Sequence, residues 1–357
     1  MRENKMLYID GRQGEGGGQI LRTSLSLAAL TGRPFTLTQI RANRSQPGLR
    51  PQHLTAVRAG AAVCGAALEG DAIHAQTLRF EPQTPPQGGT YRFDVADAAP
   101  GGSAGAVTLI WQALVWPLLF APKKSHLTLR GGTHVPFSPP FHYLAQVLLP
   151  LLRRFGIEST LQLNEWGWYP AGGGEMTAVI QPVAQLHAPS LTLPDTPSVH
   201  GVAAVTNLPA HIPQRMTNRA RNLLVEAGFA PHIEPVRERG RGAGAGMMLW
   251  LPGGGFTALG RKGMPAEQVA ETAVSPLLSF ARSRTMVDEH LADQLMIPAA
   301  LAHGTTRYTT QRLTRHALTN AALLRQWLDV SIRIDGQPDE PAEIIVAGAG
   351  FRREDSR

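Results

Sequence analysis

The chain has 357 residues, 43% of them hydrophobic and 17% charged, with a formal net charge of +7. That length can hold a large core and two domains, and the composition excludes a disordered chain. The positive balance favours an acidic partner such as nucleic acid or nucleotide.

Taken in order, a short apolar run, Met6 to Ile9, leads into a glycine cluster, Gly11 to Arg22, reading GRQGEGGGQILR. A helix is predicted from Gly17 to Thr31, a strand from Pro34 to Ile40, a helix from Pro51 to Ala67, and strands at Ile73 to Phe80 and Tyr91 to Val95. The same order follows. Gly101, Gly102 and Ser103 open a helix to Phe120, then come a strand at Ser125 to Leu129, a helix at Pro140 to Phe155, and strands at Glu158 to Leu163 and Met176 to Gln181. After an interruption it comes a third time: a helix at Val287 to Ala302, a strand at Thr306 to Gln311, a helix at Arg315 to Trp327, and strands at Val330 to Ile334 and Glu343 to Val346. The expectation is an α/β fold: three repeated two-helix and β-sheet units form a large domain over residues 1–184 and 284–357. A smaller α/β domain, 185–283, is inserted between the second and third units. It begins with a proline-rich linker, HAPSLTLPDTPS, carries a helix-like run at Gln214 to Ala227, and contains RERGRGAGAG, read as a mobile hairpin loop with RNA contact as the alternative.

Further features bound the setting. Cys64 is the sole cysteine, which excludes internal disulfides and a cysteine-based zinc site. The N-terminus, MRENKMLYID, lacks an apolar signal core, and the most apolar run, Ala106 to Ala121, is shorter than a membrane span and holds Gln112 and Pro117. A cytoplasmic protein is expected. Lysine occurs only at Lys5, Lys123, Lys124 and Lys262, so the cations are nearly all arginine, whose planar fork suits phosphate; a high-GC genome produces the same bias.

Four stretches could carry chemistry. The glycine cluster joins a strand to a helix start, where backbone N–H groups and the helix dipole attract an anion. Glu15 inside it would repel phosphate unless Mg²⁺ or Mn²⁺ lay between, and a plain turn remains the alternative. The spacing is neither a dinucleotide fingerprint, because Gln19 stands where the third glycine belongs, nor a Walker loop; GFTALGRK, Gly255 to Lys262, is rejected as a phosphate loop too. His316, in LTRHALTN, would follow an N-cap at Thr314; the dipole there disfavours imidazolium and leaves a neutral nucleophile, with a structural hydrogen-bonding histidine as the alternative. DEHLADQ, Asp288 to Gln294, gathers carboxylates and His290 on one helical face, which spacing alone reads as a solvated face. Arg41, Arg44, Arg50, Gln52 and His53 form a basic loop suited to a polynucleotide backbone. Phe256, Trp166, Trp168 and Tyr169 could stack bases, or belong to the core.

Together DGRQGEGGGQILR, IRANRSQPGLRPQHLTA, YPAGGGE, DEHLADQL and the His316 segment resemble, in order, the RNA 3′-terminal phosphate cyclase family. The resemblance runs over nearly the whole chain and is weakest in the insert and after Gly348. It implies an ATP-dependent reaction on RNA bearing a 3′-phosphate end. His316 would attack the α-phosphorus of ATP, AMP would pass to the RNA 3′-phosphate, and the 2′-hydroxyl would close a 2′,3′-cyclic phosphate with release of AMP. It further implies a metal ligand at Glu15 and RNA-end or phosphate contacts at Arg22, Arg41 and Gln52. The nucleotide pocket would comprise Gln112, Pro136, His290, Leu291, Ala292, Asp293 and Gln294, with Phe256 on the adenine. Three rivals are a non-catalytic RNA-binding or ribosome-assembly relative, which would lack the histidine, an enolpyruvyl transferase, and a lysine-nucleophile ligase, for which no KxDG motif occurs.

Overall fold

The computed structural model describes residues 5–99, 102–193 and 198–355. It is a mixed α/β protein built on four small sheets.

The first sheet joins β1 (Leu7–Asp10), β2 (Phe35–Thr38), β3 (Ala67–Glu69) and β4 (Leu78–Glu81) in the order β1-β2-β4-β3, with β1 parallel to β2 and the other pairs antiparallel. Helices α1 (Gly18–Thr31) and α2 (Pro51–Cys64) end where Gly32 and Gly65 turn left-handed, with φ of 68° and 59°. A β-carbon makes that conformation costly, so these glycines stop the helices. The stop at Gly65 ends α2 before the expected Ala67, which instead begins the short strand β3.

The second sheet has the order β5-β6-β8-β7, from β5 (Thr90–Asp94), β6 (Ser125–Gly131), β7 (Ser159–Glu165) and β8 (Gly174–Ile180). Tyr91 to Val95, assigned by sequence order to the first unit, instead supplies the second sheet's edge, paired parallel to β6 with Tyr91 opposite Leu127. Local patterning marks a strand but not the sheet it joins. Helix α3 (Val107–Leu119) begins later than the Gly102–Ser103 start, because the preceding backbone bridges to Gly132, whose N–H donates to Gly105 O at 2.8 Å and whose O accepts the N–H of Val107 at 3.0 Å; Gly101 lies outside the described residues. The helix expected from Pro140 to Phe155 is α4 (Phe141–Tyr143), a π-turn segment (Leu144–Leu148) and α5 (Leu149–Arg154).

The segment expected as an insert has its own sheet, β10-β9-β11-β12, from β9 (Ser198–Thr206), β10 (Ala230–Glu238), β11 (Gly244–Leu251) and β12 (Gly254–Leu259). Helices α6 (His211–Glu226) and α7 (Ala266–Ser283) pack on it around Met216, Leu224, Leu249, Val269 and Phe280. Four residues of the expected linker, 194–197, lie outside the described residues.

The third sheet has the order β13-β15-β14, from β13 (Thr305–Thr310), β14 (Ser331–Asp335) and β15 (Ala342–Ala347), all antiparallel. Before it, the single helix expected over Val287 to Ala302 is two short ones, α8 (Leu291–Gln294) and α9 (Met296–Leu301). Val287 is engaged in a parallel bridge with Thr310, and the buried Asp288 carboxylate takes the N–H groups of His290 at 2.9 Å and Leu291 at 2.7 Å. Helix α10 (Arg315–Trp327) follows β13. One buried apolar cluster draws on all three of these sheets and their helices, with Trp111, Phe35 and Tyr308 among its residues. No helix of the described residues is long and apolar enough to cross a membrane.

Candidate active site

Helix α10 begins as its sequence requires. The Thr314 hydroxyl accepts the N–H of Ala317 at 3.1 Å, so His316 sits in the first turn, with its side chain 47% exposed. The start of α1 faces it. Gln19 Nε2 donates to Asp293 Oδ2 at 2.7 Å, and Gln19 Oε1 lies 2.9 Å from His316 Nδ1.

This order fixes an orientation. A carboxylate is acceptor only, so Asp293 takes the NH₂ side of the Gln19 amide and turns its oxygen to His316. An amide oxygen only accepts, so Nδ1 must carry hydrogen, and the neutral imidazole has its lone pair on Nε2. Burial lifts the Asp293 carboxyl to about 6, against the opposing pull of His316, His290 and Arg22, so it is mostly ionised at neutral pH. Asn320, one turn along α10, fastens the same corner by donating to Asp293 O at 2.9 Å and accepting from Thr23 Oγ1 at 3.1 Å.

Glu15 enters from the glycine turn. Its N–H donates to Thr319 Oγ1 at 3.1 Å, Arg44 pairs with Oε2, and Oε1 lies 3.7 Å from His316 Nδ1. The carboxylate is 6% exposed and Oε1 has no hydrogen-bond partner, an arrangement that suits a cation. Among the described residues no group of three or more His, Cys, Asp and Glu side chains is arranged to hold a metal. A cation here would take one protein carboxylate and complete its shell from phosphate and water, the pattern magnesium favours.

The basic loop forms the adjoining wall. Arg22 is half-buried and its guanidinium falls to about 10 through burial, opposed by Glu15 and Asp293; it stays a cation at neutral pH. His53 is 5% exposed, and burial with Arg22, Arg41 and Arg50 around it holds the imidazole well below its ordinary range. Its Nδ1 accepts the N–H of Arg50 at 3.3 Å, so Nε2–H points at the turn, where a β-carbon on Gly18 would lie 2.6 Å away. Arg41 adopts a left-handed φ of 55° and donates to the carbonyls of Gln46 and Gly48 at 2.7 and 3.0 Å, bracing its own loop. Gln52 Oε1 accepts the N–H of Ala106 at 2.8 Å, tying the start of α2 to that of α3.

The expected nucleotide residues divide. Gln112 Nε2 donates to Gln294 Oε1 at 2.7 Å, and Gln294 Nε2 to His290 O at 3.0 Å, which joins α3 to the DEHLADQ segment. The His290 side chain is 66% exposed. Leu291 and Ala292 are fully buried, so only their backbones could face a ligand. Pro136 is exposed on the loop after β6, and Phe256 is buried in the insert's core with its ring 5.7 Å from that of Phe280; neither belongs to the hydrogen-bond network around His316. The backbone beside Phe256 does reach the DEHLADQ segment, for Gly255 N–H donates to Asp288 Oδ2 at 2.8 Å. Burial raises the Asp288 carboxyl above its ordinary range, and Tyr143 OH donates to it at 2.8 Å.

Trp166 and Trp168 stack on each other at 5.4 Å and 9°, and Trp166 stacks on the buried His134 at 4.4 Å. Trp168 is 3% exposed and packs on the insert, where Gly244 leaves no room for a β-carbon. This pair joins the second sheet to the insert. Sequence reading missed Gln19, Thr319 and Asn320; Gln19 had one visible mark, standing in the glycine motif where a dinucleotide fold places glycine.

A family model described as RNA 3′-terminal phosphate cyclase matches residues 13–334. The RNA 3′-terminal phosphate cyclase of Nostoc punctiforme is 48% identical over 335 residues, covering 92% of this chain and 96% of that protein. That of Gloeothece citriformis is 49% identical over 327 residues, covering 90% and 93%. That of Methylococcus capsulatus is 48% identical over 327 residues, covering 88% and 89%. A solved enolpyruvyl transferase, NikO from Streptomyces tendae, aligns at 13% identity with a TM-score of 0.36 over 98% of this chain and 50% of its own, which decides nothing about this chain. The chain belongs to the RNA 3′-terminal phosphate cyclase family.

Proposed function

We propose that the protein uses ATP to convert an RNA 3′-phosphate end to a 2′,3′-cyclic phosphate, with His316 as the covalent nucleophile. The observation that carries this is the Asp293–Gln19–His316 chain, which leaves the Nε2 lone pair of a half-exposed imidazole free. Nε2 attacks the α-phosphorus of ATP and pyrophosphate leaves with the bonding pair, giving a histidine–AMP phosphoramidate. An oxygen of the RNA 3′-phosphate then attacks the same phosphorus and Nε2 departs, giving RNA(3′)pp(5′)A. The terminal 2′-hydroxyl attacks the 3′-phosphorus, loses its proton, and expels AMP.

Arg22, Arg41 and Gln52 line the wall assigned to the RNA end and its phosphate. Gln112, Asp293, Gln294, His290 and the backbone of Leu291 and Ala292 form the nucleotide side, with Pro136 and Phe256 at the adenine. Glu15, with Oε1 unpartnered, would hold Mg²⁺ or Mn²⁺, whose charge offsets that of the phosphates. The three-repeat reading draws on the shared strand orders β2-β4-β3, β6-β8-β7 and β13-β15-β14, and the inserted domain on its separate apolar core. A non-catalytic role would need no oriented nucleophile.

The test is to incubate RNA ending in a labelled 3′-phosphate with protein, ATP and Mg²⁺ or Mn²⁺, then treat it with phosphatase. Label that becomes phosphatase-resistant as AMP and pyrophosphate appear supports the reading; label that stays removable contradicts it.

A further inference from the structure

From the RNA-end wall a continuous series of contacts leads away from His316 to the insert. Gln52 holds Ala106 at 2.8 Å. On the same loop, Ser103 O and Ala104 lie against Gly172, where a β-carbon would be 2.6 Å from that oxygen. Next to Gly172, the Arg241 side chain lies across Gly173, and a β-carbon on Gly242 would meet that of Ala171 at 2.5 Å. The approaches at Gly172 and Gly242 leave no room for a side chain, and together they join the loop before α3, the turn at 169–173 and the loop at 239–242.

The far end of this series has two features of a surface for single-stranded nucleic acid. Tyr169 is 66% exposed, while Trp166 and Trp168 beside it are taken up in packing, so Tyr169 is the aromatic face left to solvent on that turn. Arg239 and Arg241 are exposed, and among the described residues their guanidinium groups have no hydrogen bond or ion pair; Glu238 is the exposed carboxylate between Arg237 and Arg239. The glycine–arginine loop is also tied down, unlike the mobile hairpin expected from its composition. Thr206 Oγ1 donates to Gly242 O at 2.6 Å and Asn207 Nδ2 to Gly240 O at 2.6 Å, while Asn207 Oδ1 accepts the N–H of Gly240 at 3.3 Å. Unpaired cations on a loop with a fixed backbone, packed against the turn that exposes Tyr169, match how sequence-tolerant single-strand sites are built: the ring stacks a base and arginine takes the backbone.

We infer that Tyr169, Arg239 and Arg241 form a second RNA-binding surface that holds the strand upstream of its 3′ end. The inference rests on the proposed action at an RNA end and adds a length preference: a bare dinucleotide would miss this surface and a longer strand would reach it.

The experiment is fluorescence anisotropy of the full chain with 3′-phosphorylated dinucleotide and dodecanucleotide, for wild type, Tyr169→Ala, Tyr169→Phe and Arg241→Ala. Wild type should bind the dodecanucleotide more tightly. Tyr169→Ala should shrink that preference about tenfold, the size of one lost stacking contact, and Tyr169→Phe should restore it. Arg241→Ala should lower the salt slope for the dodecanucleotide by about 0.7, one phosphate contact on a single strand. Equal wild-type binding of both lengths, or an unchanged preference in Tyr169→Ala together with an unchanged slope in Arg241→Ala, overturns the inference. Retention of label from α-labelled ATP, measured without RNA, fails only if the cyclase reading fails, so the two are separable.

Discussion

At the scale of single residues, the site turns on which nitrogen of His316 is free. Gln19 sets this without touching substrate, so its loss should act on nucleophile orientation. Gln19→Ala is expected to slow transfer of label from α-labelled ATP to protein by about 10²-fold, with Gln19→Glu no better, since a carboxylate cannot donate to Asp293. A single-turnover time course checks it; rates within about twofold of wild type would remove Gln19 from the account. Asp293 adds a pH signature. As pH falls through about 6 its carboxyl protonates and the acceptor that orients Gln19 is weakened, so label transfer should fall there. The stability effect has the opposite sign. A folded value of about 6 lies above the ordinary 3.8, so the stability Asp293 contributes is complete below 3.8 and lost as pH rises through about 6. Asp293→Asn should therefore unfold at a temperature roughly 1–3 °C above wild type at neutral pH, with the gap closing in acid, while losing activity. Glu15 supplies another test: Glu15→Ala should cut metal-supported transfer about a hundredfold, and an unchanged dependence on Mg²⁺ or Mn²⁺ concentration would end its assigned role.

At the scale of elements, helix starts do the positioning. Thr314 caps α10, and Thr314→Ala should cost about 1 kcal/mol by denaturant titration. Gly14 has a φ of 58° and no room for a β-carbon against Thr319, so Gly14→Ala should displace the turn that presents Glu15. These features are partly legible in sequence. Thr314 before an amphipathic run marks its helix, and Pro51 and the glycines at 32 and 65 mark the others. What sequence does not show is convergence. Gln19 meets Asp293 and His316 across separations of 274 and 297 residues, and no local pattern records such a meeting. For the same reason sequence order assigns Tyr91 to Val95 to the wrong sheet and local pattern reads Val287 to Ala302 as one helix: the parallel partner of β5 and the bridge from Val287 to Thr310 are long-range facts.

At the scale of the whole molecule, the site lies where the first and third sheets' helices meet, with the insert reaching it through Gly253 and Gly255 beside Asp288. The insert is fastened to the second sheet at Trp168, where Gly244 leaves no space for a side chain. Gly244→Ala should destabilise the protein by about 1–3 kcal/mol through overpacking, read as a lowered calorimetric midpoint. The motifs point to the family without the geometry, but Trp166 and Trp168, open to a base-stacking reading in sequence, prove to be packing at this junction. The central claim is that His316 carries the nucleotide. Incubating the protein with α-labelled ATP and Mg²⁺ or Mn²⁺, followed by denaturing electrophoresis, tests it most directly. Wild type should retain a label that mild acid removes and base does not, and His316→Ala should retain none. An unlabelled wild type, or equal label on His316→Ala, would contradict it.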